Sequence, residues 1–356
     1  MSRQKYRAQI AVFDRRDLLK MGAASLAVAG AGCDTLSLPE VQLLDFLAPI
    51  LDNDDFYVQS AYGTPEVNIS SHVLRLLDEG TEVATISLAD LEALPSRKRE
   101  HSLQCIGSNP RYPFVGNAIW GGLPFREVLE HLGVSAAADR VWMRMRGADD
   151  YSTAVPVTDL DGTGGADPMW LVWTMNDEPL PADHGSPFRF LIPGRYGTKN
   201  VKWPVELEFT AEEHLGTWER LGWSQEATYQ TNGLILSPPS MSLIGTGTVK
   251  ILGSAFAGHT QIEEVEITTD GGATWEPVEI TYRPTDSQSE PDVTDVNPGR
   301  HIWTIWQYEW TLNSPGDYTI QVRVKDENGV VSAADPEGVD PLDGYDGGME
   351  ILLKVT

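Results

Sequence analysis

Apolar and polar positions alternate with a period of two along much of this chain, and that alternation predicts strands. In the first two-thirds, Val73–Leu77, Glu82–Ile86, Val141–Arg146 and Trp170–Met175 read this way. Val141, Met143 and Met145 share one face of their run. The last third carries further short runs at Val249–Leu252, Glu264–Ile267, Val278–Tyr282, Ile302–Trp310, Tyr318–Val324 and Glu350–Val355. Tyr318, Ile320, Val322 and Val324 fall on one face. Thr269–Trp275, T-D-G-G-A-T-W, predicts a hairpin turn followed by an inward aromatic. Helical spacing is rarer. Ser87 offers an N-cap with Asp90 three positions on, predicting a helix over Ser87–Leu94. Pro124 suits a first helical position, and Phe125, Val128, Leu129 and Leu132 repeat at i, i+3, i+4 and i+7 before the stop at Gly133. Val41–Leu51 is a short apolar, helix-like patch.

These patterns predict an α+β chain: a mixed α/β unit over 34–235, then an all-β immunoglobulin-like sandwich over 236–356. Thr231–Pro239 reads as the linker between them. Asp159–Asp167, D-L-D-G-T-G-G-A-D, lacks the full calcium-loop pattern and reads as a solvated acidic turn. Asp286–Pro298 and Asp335–Asp346 read as solvated loops.

Charge changes the picture at both ends of the argument. Six basic residues, among them the pair Arg15 and Arg16, precede the apolar small-residue run Met21–Gly32, so residues 1–33 read as a twin-arginine export signal. The run is too short to span a bilayer. It ends G-A-G-C, which makes Cys33 a candidate lipid-anchor site, with Gly30 where a lipobox prefers Leu. The expected location is periplasmic or the outer face of the membrane. Net charge is −26, and removing residues 1–32, with six basic and two acidic groups, leaves −30. Such an excess argues against nucleic acid or an anionic lipid surface as partner.

With Cys33 at the cleavage point, Cys105 has no disulfide partner. Two cysteines also exclude an iron–sulfur cluster or a C-x-x-C-H haem site, so a redox function would need an external electron carrier. Cys105 sits where a strand opens into a loop, in S-L-Q-C-I-G-S-N-P-R-Y-P-F-V-G-N-A-I-W-G-G-L-P. A lone cysteine is often a small core hydrophobe. Arg111 nearby, and Gly107, Asn109, Gly116, Gly121 and Gly122, which would let backbone approach a bulky ligand, favour a soft metal ligand instead.

Ser102–Val134 resembles the cysteine loop of the sulfite oxidase family of molybdenum enzymes. Met175–Trp203 carries the family's other motifs in order: N-D-E-P-L-P, H-G-S-P-F-R, P-G-R-Y-G and V-K-W. The resemblance runs from about Phe56 to the C-terminus, where the strands are similar to the family's dimerisation domain. It implies a Mo-molybdopterin cofactor, with Cys105 and the two pterin sulfurs holding the metal. It further implies that Phe56, Tyr57, Asn109, Asp150, His184, Arg189, Gly197, Thr198, Asn200 and Lys202 bind the cofactor, with main-chain N–H groups at Gly194 and Gly197 facing the pterin. Arg111 is the candidate for steering substrate. Trp223 stands where the sulfite oxidases place an active-site Tyr, and Gln59 and Ala61 stand where the animal enzymes carry Arg and His. Those departures point away from sulfite. The reading is an exported mononuclear molybdenum oxidoreductase that transfers an oxygen atom to or from a small molecule. Its electron partner would be a cytochrome or a membrane quinone-linked subunit, and the resemblance extends to a homodimer. The alternatives are a sulfite dehydrogenase feeding an external cytochrome and a cofactor-less exported binding module.

Overall fold

Alternation becomes strand almost wherever the sequence shows it. The structure, a computed structural model, describes residues 47–109, 113–163, 167–283, 300–332, 342–344 and 347–356. The export segment, Cys33 and Arg111 lie outside the described residues, as do Asp286–Pro298 and most of Asp335–Asp346. The N-terminal unit holds β1 (Val73–Asp78), β2 (Thr81–Ser87), β3 (Arg97–Gln104), β4 (Val115–Pro124) and β5 (Trp142–Gly147). It continues with β6 (Ser152–Pro156), β7 (Trp170–Met175), β8 (Glu178–Pro179), β9 (Arg189–Leu191) and β10 (Pro204–Thr210). The C-terminal unit holds β11 (Asn232–Ser237), β12 (Ser242–Ile244), β13 (Gly247–Phe256), β14 (Ile262–Thr268) and β15 (Glu276–Pro277). It ends with β16 (Glu279–Tyr282), β17 (Thr304–Leu312), β18 (Gly316–Asp326) and β19 (Glu350–Val355).

Four sheets result, in the orders β2-β1-β10-β5-β6, β3-β4-β7-β8 with β9 on β7, β11-β13-β17-β16 and β12-β19-β18-β14-β15. The α-helices among the described residues are short: α1 (Leu88–Glu92) and α2 (Phe125–His131). The first unit is therefore mostly β rather than an even α/β mixture. Both helices form where their stop and start signals lie. The Ser87 hydroxyl accepts the Asp90 N–H while the Asp90 carboxylate accepts the Ser87 N–H, a closed capping box. Pro124 caps α2, Phe125, Val128 and Leu129 are buried, and Gly133 leaves the helix at φ 68°.

Three readings need correction. The glycines of β4 serve packing, not a ligand: a Cβ on Gly122 would lie 2.2 Å from the Leu171 carbonyl oxygen, and one on Gly116 would lie 2.8 Å from the Phe56 ring. Thr231–Pro239 is no linker, because Asn232–Ser237 is β11 and pairs antiparallel with β13. The turn Asp159–Asp167 is not solvated at its ends. Asp159 is buried against Arg195, at 2.9 and 3.0 Å, and Asp167 against Arg99 at 2.7 Å. Each carboxylate neutralises a cation that the fold has taken out of water.

The two C-terminal sheets pack face to face. Ile251 and Trp306 from one and Ile267, Val322 and Ile351 from the other belong to a single buried cluster. That cluster continues into Ile106, Val115 and Tyr196 of the first unit, so the loop after β3 is seated on the C-terminal unit. Burying side chains of this size stabilises by about 1.5–3 kcal/mol each, which makes the seam between units part of the core.

Candidate active site

Cys105 follows the last residue of β3, and its backbone is held on both sides. Its N–H donates to the Phe114 carbonyl at 3.0 Å, and its carbonyl accepts the Ser108 N–H at 3.0 Å. The Asn109 side chain braces the same turn, donating to the Gly107 carbonyl at 3.0 Å. The thiol is free and partly buried. Burial pushes it up from its ordinary pKa, opposed by a hydrogen bond from the Gly107 backbone. A metal would therefore have to displace its proton.

Aromatic rings wall the thiol. A Cβ on Gly107 would lie 3.6 Å from Trp223 Cη2 and 4.0 Å from Cys105 Sγ, so indole and thiol flank one glycine. Trp223 meets Trp218 edge-on at 6.1 Å. On the other side Phe56 and Tyr57 stack at 5.3 Å, and Tyr57 leans on Phe114 at 5.9 Å. A Cβ on Gly197 would lie 3.3 Å from Tyr57 Oη and 3.8 Å from Cys105 Cα, so these three residues converge. Burial first, and then the nearby Cys105, hold the Tyr57 phenol well above its ordinary pKa.

Arg189 and Lys202 face each other as antiparallel bridge partners. Arg189 Nη1 donates to the His184 carbonyl at 3.1 Å and Nη2 to the Asn200 carbonyl at 3.3 Å, while buried Nε has no partner. Its guanidinium lies 5.1 Å above the Trp120 ring. Lys202 Nζ donates to the Asp183 carbonyl at 2.8 Å and sits 4.5 Å over Trp203. Among the described residues neither cation has an ion-pair partner. Burial lowers Arg189 to about 10, and burial together with Arg189 lowers Lys202 to about 7. Among the described residues the Thr198 hydroxyl is likewise buried without a partner. Two desolvated cations, an orphaned N–H and an orphaned hydroxyl make a cradle short of negative charge. A phosphate-bearing pterin fits that deficit, and the thiol beside it fits a soft metal.

The remaining candidates divide. His184 is buried, but its Nε2 donates to the Asn53 carbonyl at 3.0 Å, and burial lowers it to about 4. Asn200 is consumed by the fold: its Oδ1 accepts the Ile192 N–H at 2.6 Å, and its amide donates to the Arg195 and Tyr196 carbonyls. It shapes the loop of residues 192–200. Asp150 sits at φ 63° on an exposed turn and pairs with Arg146 at 3.4 Å, whereas its half-buried neighbour Asp149 senses Lys202. Gly194 faces the C-terminal unit, since a Cβ there would lie 2.0 Å from His259 Nε2. Arg111 lies outside the described residues. Sequence reasoning missed Lys199, fully buried in an ion pair with Glu219, which ties the 192–200 loop to the segment before Trp223. Among Arg195, Thr198, Asn200 and Lys202 the sequence carries no signal that sets Lys199 apart.

The chain is similar to known molybdopterin-dependent proteins. Residues 61–218 match the family model for the oxidoreductase molybdopterin binding domain, and residues 225–338 match the Mo-co oxidoreductase dimerisation domain. The chain is 27% identical over 299 residues to mitochondrial sulfite oxidase of Drosophila melanogaster, covering 71% of this chain and 49% of that protein. It is 29% identical over 289 residues to inducible NADH nitrate reductase 1 of Glycine max, covering 67% of this chain and 30% of that one. This chain thus spans about half the length of the animal relative. Among solved structures, the sulfane dehydrogenase SoxCD of Paracoccus pantotrophus superposes with a TM-score of 0.67 at 17% identity, covering 93% of this chain and 96% of the other. That likeness shows a shared fold.

Proposed function

This chain belongs to the sulfite oxidase family of molybdopterin-dependent oxidoreductases, and from that premise we propose that it transfers an oxygen atom to or from a small neutral molecule at a molybdenum centre bound through Cys105. The observation that carries this reading is the pairing of Arg189 and Lys202, two buried cations without an ion-pair partner among the described residues, in a pocket where Tyr57 feels both Arg189 and the free thiol. Molybdenum on a pterin supplies two-electron oxygen-atom chemistry. The chain supplies the rest. Arg189 and Lys202 would hold the cofactor's phosphate, and the Thr198 hydroxyl is placed to donate to it. Cys105 would give its thiolate to the metal. Tyr57, protonated throughout the working pH range, can donate a hydrogen bond toward the thiol side of the pocket. Trp223 excludes water and donates one N–H, but no indole acts as an acid near neutral pH.

The preference for a neutral substrate rests on charge and on that indole. A chain at −26 repels dianions, most at low ionic strength, and Gln59 and Ala61 remove two basic groups from the approach. The similarity to a sulfite oxidase favours a second reading, sulfite dehydrogenation with electrons passed to an external cytochrome. Comparing sulfite oxidation with sulfoxide and N-oxide reduction on metal-loaded protein, across a salt series, separates the two. Efficient sulfite turnover at low salt would replace the first reading by the second.

Export of the folded protein through a twin-arginine signal belongs to the same proposal, with Cys33 as its lipid-anchor site. So does reading the C-terminal sheets as an immunoglobulin-like sandwich that carries a homodimer contact. Exposed Met241, Leu243 and Leu352 cluster where β12 meets β19, and burying them in a partner would remove apolar surface from water. Solution mass by light scattering tests the dimer.

A further inference from the structure

The strand that delivers Cys105 is gripped from outside its own unit. Residues 100, 102 and 104 of β3 each bond to the C-terminal unit. The Tyr282 hydroxyl donates to the Glu100 carboxylate at 2.7 Å. The Ser102 N–H donates to the His301 carbonyl at 2.8 Å, and the Ser102 hydroxyl accepts the Trp303 N–H at 2.9 Å. The contact at Gln104 is the most directional. Gln104 and Asn232 are both buried, and their amides exchange two hydrogen bonds: Gln104 Nε2 to Asn232 Oδ1 at 3.2 Å, and Asn232 Nδ2 to Gln104 Oε1 at 3.1 Å. Asn232 also donates to the Gln230 carbonyl at 2.8 Å, which fixes its own orientation. The Gln104 N–H donates to Tyr229 Oη at 3.2 Å, and the Tyr229 ring is set between Tyr196 at 4.7 Å and Phe256 at 4.6 Å.

A buried amide pair is a poor way to add stability, because an apolar pair of the same shape would serve about as well. It is a good way to fix direction. Two antiparallel amide bonds set distance and angle together, and they do so at the residue before Cys105. Phe114 and Ser108 hold the Cys105 N–H and carbonyl within the first unit. The Gln104 contacts add a second anchor, fixing the end of β3 that carries Cys105 against the C-terminal unit. We infer that Gln104, Asn232 and Tyr229 are positioning residues that aim the Cys105 thiol, so that the C-terminal unit is a framework for the active site as well as a dimerisation surface. The inference rests on the reading of Cys105 as the metal ligand.

The test replaces both amides at once. Gln104→Met with Asn232→Leu keeps the volume and removes the direction, and its urea midpoint should stay close to the parent's. Three readouts follow. In the cofactor-free full chain, iodoacetamide should alkylate Cys105 several-fold faster, as read by peptide mass. In the loaded enzyme, kcat should fall about ten- to a hundredfold with KM little changed, and the thiolate-to-metal absorption band should shift. Tyr229→Phe, which removes one oxygen and keeps the ring, should move all three readouts in the same direction by less, and it decides the matter if the double variant does not fold. Parental alkylation, kcat and absorption in a folded variant overturn the proposal. Cys105→Ser separates the two layers of the argument: if it abolishes turnover while the positioning variants behave as the parent, positioning alone is wrong. If it retains turnover, the ligand reading itself fails.

Discussion

Lys202→Met should have opposite effects on the empty and the loaded protein, and the reason lies in how the lysine is buried. Its drop from an ordinary 10.5 to about 7, caused first by burial and then by Arg189, corresponds to about 5 kcal/mol against the charged form. Because the folded-state value lies below the unfolded one, the unfolded chain holds the extra proton between about pH 7 and 10.5. The parent's stability therefore rises with pH through that window, and the penalty is present in full below pH 7. Methionine removes the buried charge but also the hydrogen bond to the Asp183 carbonyl, worth about 1 kcal/mol. In the cofactor-free chain the variant should be more stable than the parent at pH 6, by about 3–4 kcal/mol, the difference of those two effects. Near pH 10 most of that penalty is gone, about 0.8 kcal/mol remaining against the lost hydrogen bond, so the two proteins should be about equally stable. Cofactor binding should move the other way, because one charge-assisted bond to phosphate is lost, which is about 10- to 150-fold in affinity. Urea titrations at pH 6 and pH 10, with pterin retention after dialysis, measure all three. A variant less stable than the parent at pH 6, or one that keeps its pterin as tightly, would refute the buried-cation argument.

Three other substitutions probe separate parts of the account. Cys105→Ser should abolish turnover while pterin stays bound, since serine is a harder and far less acidic ligand; fluorescence of extracted pterin beside an activity assay checks it. Trp223→Tyr should raise sulfite turnover relative to sulfoxide turnover by offering a phenol where the indole stands, and an unchanged ratio would remove Trp223 from the specificity argument. Gly122→Ala should destabilise the chain by about 2–3 kcal/mol or more, because its Cβ would lie 2.2 Å from a backbone carbonyl; a neutral urea midpoint would show that β4 and β7 can part.

What the sequence made legible is what it encodes locally. Period-two runs such as Trp170–Met175, and the helix at Phe125 with its proline and glycine signals, depend on neighbours a few positions away. Strand β4 was hidden because glycines carry no side-chain period, and the need for them comes from β7, some fifty residues on. At the site, the motif block located Arg189 and Lys202 because charge in a glycine-rich loop is conspicuous. The same block could not show that Asn200 spends its side chain on backbone carbonyls and an N–H, that His184 Nε2 donates to the Asn53 carbonyl, or that Asp149 senses Lys202 while Asp150 is exposed. Gln104 could not be singled out at all. Its partner Asn232 is 128 positions away, and only folding brings the two amides together.

The central claim is that the chain carries a molybdenum cofactor held by Cys105, Arg189 and Lys202. Metal and pterin analysis of protein matured in a molybdopterin-competent host tests it most directly. About one molybdenum and one pterin per chain is the predicted result, as a single thiolate site requires. Folded protein with neither would contradict the account and leave a binding module in its place.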